Sequence, residues 1–190
     1  VLDDLCEGTG LEGKITVKFD ASAGTEWADA FRTGKTQIGF GYGFSGNGDH
    51  ISSPNVEGPS RSLEMAIRRA GIRKEEIGYI NAHATSTHVG DTNEAKAIFN
   101  VFGDQKVEVT STKSQTGHEM WMAGASEVIY SILMMKNDFI AANLNFENPD
   151  EDSAKLIIPS VRLQKHFDTF LSNSFGFGGT NSTLIIRDIR

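Results

Sequence analysis

From Lys35 onward, stretches with a helical period of apolar residues alternate with short, nearly unbroken apolar runs. Gln37 to Phe44 reads as a strand whose glycines permit close backbone approach. Leu63, Ala66, Ile67 and Ala70 then fall at i, i+3, i+4 and i+7, with Pro59 near the start of that helix and Gly71 at its end. Ile77 to Ala82 predicts a short strand that runs straight into His83. Asp91 is expected to cap the next helix, which carries Ala95, Ile98 and Val101 on one face and stops near Gly103. Val107 to Thr110 predicts another strand, leading into Lys113. The segment from Glu119 to Met135 is helical and apolar on nearly every side, so a central, buried helix is expected. After the Asn148-Pro149-Asp150 turn come two closing strands, about Thr169 to Ser172 and Thr183 to Ile189. Alternating strand and helix followed by paired strands predicts an α/β fold, a mixed sheet with helices layered on both faces.

Residues 1–34 read differently and carry no evident chemistry. They hold Gly8, Gly10, Gly13 and Gly24, a strand-like alternation from Lys14 to Phe19 and a short helical pattern from Thr25 to Phe31. The chain therefore divides into a segment of unclear role, 1–34, and a domain spanning 35–190. At 190 residues it can bury one sizeable core. A formal charge of -7 argues against a nucleic-acid partner. No apolar run approaches the roughly 18 residues of a membrane span, and no signal peptide opens the chain. The lone cysteine, Cys6, excludes an internal disulfide and suits a reducing compartment, so a cytoplasmic setting is expected. Val1 in place of an initiator methionine suggests processed, trimmed or partial material.

The chemistry collects in three runs, each placed just after a predicted strand. They are Asn81-Ala-His83-Ala-Thr85-Ser-Thr87, Thr112-Lys113-Ser-Gln-Thr-Gly-His118 and Asn173-Ser-Phe175-Gly-Phe177-Gly-Gly179-Thr-Asn181. A sheet usually delivers reactive groups from such turns, and these could converge on one edge of it. Two neutral imidazoles and a cation suit the stabilisation of negative charge developing on a carbonyl or a leaving carboxylate. Taken alone, His83 reads more readily as a buried structural histidine, although the small hydroxyl residues after it can bind a polar ligand. His118 is read as opening the apolar helix, where the N-terminus disfavours imidazolium and keeps the ring a neutral donor. Glu127 lies on that helix, where a carboxylate is costly unless paired; Lys113 is one candidate partner. The Phe175-to-Gly179 loop matches no phosphate-binding signature, and no Gly-x-Ser-x-Gly elbow occurs. His83, His88 and Asp91 match no zinc spacing, so no metal is expected. No convincing nucleophile accompanies the histidines.

In this order and spacing the runs resemble the C-terminal half of a β-ketoacyl-acyl carrier protein synthase, the elongating condensing enzyme of fatty-acid synthesis, over roughly residues 35–190. The resemblance implies a thiolase-like half with layered α-β-α architecture and a Cys-His-His site. It implies that His83 and His118 hold the malonyl thioester carbonyl during decarboxylation, with Lys113 orienting His118 and Glu127 as structural support. It places Thr85 and Thr87 on the phosphopantetheine arm, and Phe177 as a gate whose N–H joins the oxyanion hole. It implies no cofactor beyond the carrier protein's phosphopantetheine, with acyl carrier protein, an N-terminal half and a homodimer of the complete enzyme as partners. The nucleophilic cysteine is expected on that N-terminal half, because Asp3, Asp4 and Glu7 around Cys6 disfavour a thiolate. The chain departs from the family at His88, where proline is usual, and at Trp121, where a small glycine is common. The other reading is a non-catalytic partner subunit or pseudoenzyme that binds acyl carrier protein.

Overall fold

The computed structural model describes residues 55–176 and 180–188. The strand-like run 14–19, the helix near 25–31, the strand 37–44, Cys6, the division at 34/35 and Phe177 therefore lie outside the described residues. In chain order the elements are α1 (Glu57–Ala70), β1 (Tyr79–Asn81), α2 (His88–Phe102), β2 (Glu108–Thr110), the single turn α3 (Lys113–Thr116), α4 (Ala123–Lys136), β3 (Phe139–Ile140), β4 (Leu163–Gln164), β5 (Thr169–Gly176) and β6 (Thr180–Arg187). The main sheet runs β2-β1-β5-β6, parallel except for the antiparallel β5–β6 pair, and β3 and β4 form a separate antiparallel ribbon.

The strand side chains alternate between the two faces, and each face is apolar. Ile80, Val109 and Leu171 join Leu63, Ala97, Ile98 and Phe102 from α1 and α2 in one cluster. Tyr79 and Phe170, one residue out of phase, join Met134 and Met135 of α4 in the other. Helices thus cover both faces, as the periodicity predicted, and β1 at the centre is buried throughout. Tyr79 would strand a polar group in this core, but its hydroxyl meets Thr110 Oγ1 at 2.8 Å.

The register brings chemistry to one edge. Asn81 of β1 pairs with Thr110 of β2 and with Ser172 of β5, so the next residues of all three parallel strands leave the sheet at the same end. His83, Ser111 to Lys113, and Asn173 to Phe175 follow from there.

Several expected details differ. Asp91 lies in the first turn of α2 rather than at its cap, and Thr87 holds the cap position. The Glu119–Met135 segment is not one buried helix. It opens with a 3-10 turn, Met120–Met122, and α4 is buried along Glu127, Ser131, Met134 and Met135 but exposed at Ile129 and Leu133. Its apolar outer face misled the reading, because composition reports hydrophobicity and not what covers it. The closing strands are longer on the loop side, since β5 continues through Phe175 to Gly176 and pairs there with Thr180.

Candidate active site

His83 stands just beyond β1, and a carboxylate fixes the backbone that carries it. Glu94 reaches out of α2 to accept the His83 N–H on Oε1 at 2.9 Å and the Ala84 N–H on Oε2 at 2.8 Å. Asn173 Nδ2, from β5, donates to the same Oε1 at 3.0 Å. The relay continues outward, with Thr183 Oγ1 donating to Asn173 Oδ1 at 3.0 Å and the Ser62 hydroxyl of α1 meeting Thr183 Oγ1 at 2.9 Å. Glu94 is 4% exposed, and burial pushes its carboxyl up while its three donors pull the other way. Sequence reasoning missed Glu94 altogether. The available signal was an acid flanked by Ala95, Ala97 and Ile98 on the apolar face of a helix, the same signal that exposed Glu127.

The His83 and His118 rings meet edge to face with centroids 5.8 Å apart, and the Phe175 ring stands 6.0 Å from His83. Phe175 is therefore a site neighbour that its glycine-rich context had not distinguished. Burial, and then the charges of Lys113 and His118, pull the His83 imidazole down to about 4, so at neutral pH it is uncharged. Its Nδ1 is enclosed with no hydrogen-bond partner among the described residues, so the chemistry is assigned to Nε2. His118 does not open a helix: it lies between α3 and the Met120–Met122 turn and is exposed. A backbone contact orients its ring instead. The Met120 N–H donates to His118 Nδ1 at 3.0 Å, so the ring proton of the neutral form sits on Nε2 and that nitrogen is a donor. Making this bond bends Met120 into the left-handed region at φ 53, unusual for a residue with a Cβ.

Lys113 begins α3 and is buried, where its ammonium pairs with Glu127 Oε1 of α4. Burial pushes the Glu127 carboxyl up and Lys113 opposes it. The anticipated pairing of this cation with this acid is thus present. Beside it Asn81 donates from Nδ2 to Ser131 Oγ at 3.1 Å, tying β1 to α4. Asn81 Oδ1 and Glu127 Oε2 are enclosed acceptors with no donor among the described residues. Among the described residues no three histidine, cysteine, aspartate or glutamate side chains cluster in a way that could hold a metal ion. Thr85 and Thr87 follow His83 on the same loop, with their hydroxyls 3.3 Å apart.

The edge therefore presents an uncharged His83 imidazole and a His118 ring whose Nδ1 accepts a backbone N–H, beside a buried cation and an aromatic ring. Such an array holds negative charge on an oxygen without giving up a proton.

Comparison with known proteins agrees with this chemistry. The profile of the β-ketoacyl synthase C-terminal domain matches residues 38–147. 3-Oxoacyl-[acyl-carrier-protein] synthase 1 of Escherichia coli (strain K12) is 43% identical over 150 residues, covering 79% of this chain and 36% of its own. The chain thus spans about a third of the length of the curated relatives it matches. A β-ketoacyl synthase from Burkholderia phymatum STM815 superposes with a TM-score of 0.70 at 34% identity, over 76% of this chain and 35% of that one. A type II polyketide ketosynthase solved in complex with its acyl-carrier protein gives 0.70 at 30% identity, over 76% and 36%. The chain belongs to the β-ketoacyl synthase family and carries its C-terminal domain.

Proposed function

We propose that this chain supplies the histidine half of a β-ketoacyl-acyl carrier protein synthase, acting in the decarboxylative Claisen condensation of fatty-acid elongation. The observation that carries the reading is the His83–His118 pair, 5.8 Å apart and backed by Lys113. The malonyl thioester carbonyl oxygen accepts from the two imidazoles. Breaking the bond to the carboxylate releases carbon dioxide and leaves its electron pair as an enolate, which the Nε2–H donors stabilise. The enolate carbon attacks the acyl thioester held on a cysteine, forming the new C–C bond and expelling the thiolate. Burial first and the Lys113 charge second hold His83 uncharged; Lys113 is anchored to α4 through Glu127 and is assigned to orienting His118. Thr85 and Thr87 are assigned to the phosphopantetheine arm and Phe177 to the gate. No metal or organic cofactor enters the scheme.

The cysteine is assigned to an N-terminal half. Supporting this, α4 and the Met122 that precedes it present an apolar stripe of Met122, Ala125, Ile129 and Leu133 outward, with Met122, Ile129 and Leu133 each more than half exposed. Acyl carrier protein as partner is supported by the related ketosynthase solved with one. A homodimer of the complete enzyme and a cytoplasmic setting complete the reading, with residues 35–190 as the C-terminal domain and 1–34 as a separate segment. A non-catalytic partner subunit would have no use for a tautomer-fixed His118, so that alternative is not adopted.

The test is carbon dioxide release by the complete synthase given an acyl thioester and malonyl-acyl carrier protein. His83→Ala and His118→Ala should each lower the rate at least about a hundredfold. No release by the wild-type assembly overturns the proposal.

A further inference from the structure

The turn that fixes the His118 tautomer has side chains of its own. Met120, Trp121 and Met122 are 45%, 69% and 59% exposed, an apolar group within four residues of a ring that handles charge. The base of this turn is held. Ala123 is 5% exposed, and Gly124 lies so close to β5 that an added Cβ would sit 3.0 Å from Ser174 Oγ. Ser174 precedes Phe175, the ring beside His83, so the turn and the site share one support. At its other end the Met120 N–H is bonded to His118 Nδ1. The backbone between is therefore positioned at both ends, and Trp121 is carried on it three residues after His118.

A tryptophan in such a place contributes a large, rigid, apolar contact surface at small entropic cost. In the proposed reaction the acyl thioester attacked by the enolate beside His118 carries an apolar alkyl tail. We propose that Trp121 is a specificity-determining residue, its indole forming a wall against the acyl chain so that short donors are preferred to long ones. The inference rests on the condensation reading above.

The experiment compares kcat/KM of the complete synthase across saturated acyl donors of increasing length, for wild type and for W121F, W121L and W121G. Removing the indole should shift the long-to-short ratio toward long donors by about tenfold or more, within the range that pocket contacts give. The shift should follow side-chain volume, smallest for W121F and largest for W121G. An unchanged ratio overturns the proposal, whether or not absolute rates fall, since a uniform fall is the signature of disturbed assembly. If wild type releases no carbon dioxide from any donor, it is the condensation reading that fails.

Discussion

Glu94→Gln is the most informative single change in this domain. Glutamine has the same shape, keeps one carbonyl oxygen and replaces the other oxygen by an NH2 group. Kept at the Oε1 position, that oxygen still accepts from His83 N–H and Asn173 Nδ2, but the NH2 then faces the Ala84 N–H, donor against donor. Because the site is 4% exposed, water cannot take over, and a buried donor left unpaired costs about 1–3 kcal/mol. Losing the charge from the remaining bonds brings the total to roughly 2–3 kcal/mol. For a chain of this size that lowers Tm by about 5–10 °C. The protein still folds, but the His83 backbone loses a tether, and misplacing a reacting group by about 1 Å can cost a hundredfold in rate. Thermal denaturation by circular dichroism and carbon dioxide release by the complete synthase read the two effects. A variant as stable as wild type would refute the reasoning. It would mean that burial wins, that the Glu94 carboxyl is already neutral, and that the native site contains no carboxylate.

Lys113→Met should destabilise by about 3–5 kcal/mol, because it leaves Glu127 buried and unpaired; adding Glu127→Leu should restore most of that in denaturant melts while activity stays low. The same Lys113→Met change removes a cation that depresses His83, so the His83 titration followed by NMR should move up from about 4. His83 also makes stability depend on pH. Its folded value lies below the unfolded 6.5, so its full contribution is present above about 6.5 and is lost as pH falls toward 4, by at most about 3 kcal/mol. His83→Gln should flatten denaturant-derived stability across that window. Tyr79→Phe should cost about 1–2 kcal/mol by leaving the buried Thr110 hydroxyl without its partner, measurable as a lower denaturation midpoint.

What the sequence made legible was largely local. Leu63, Ile98 and Val109 sat at the right period for the elements that bury them, and Gly71, at φ 66, marks the end of α1 as expected. The convergence of His83, Lys113 and His118 was legible because the two runs that carry them each followed a strand, and parallel strands end together. Lys113 with Glu127 was legible because a buried acid needs a cation. What was missed depends on residues far apart in the chain. Asp91 looked like a cap because its type fits one, but the cap position fell at Thr87, and local propensity cannot choose between neighbours four apart. His118 was expected to open a helix, and it stands instead before a short 3-10 turn, because the helical period of the apolar residues after it does not show where the helix begins. Glu94 was invisible as a positioning residue because two of its partners, His83 and Asn173, lie 11 and 79 positions away.

That last separation bears on how the protein is made. The anchor of His83 is completed by Asn173, which is itself braced through Thr183 against Ser62, 121 residues earlier. Both histidines and the lysine leave the ribosome well before β5 and β6 do. During synthesis, then, the nascent chain holds all the charged and imidazole groups of its site without the framework that aims them. The final strand pair sets the moment at which the site forms, in a slow, long-range closing step of the fold.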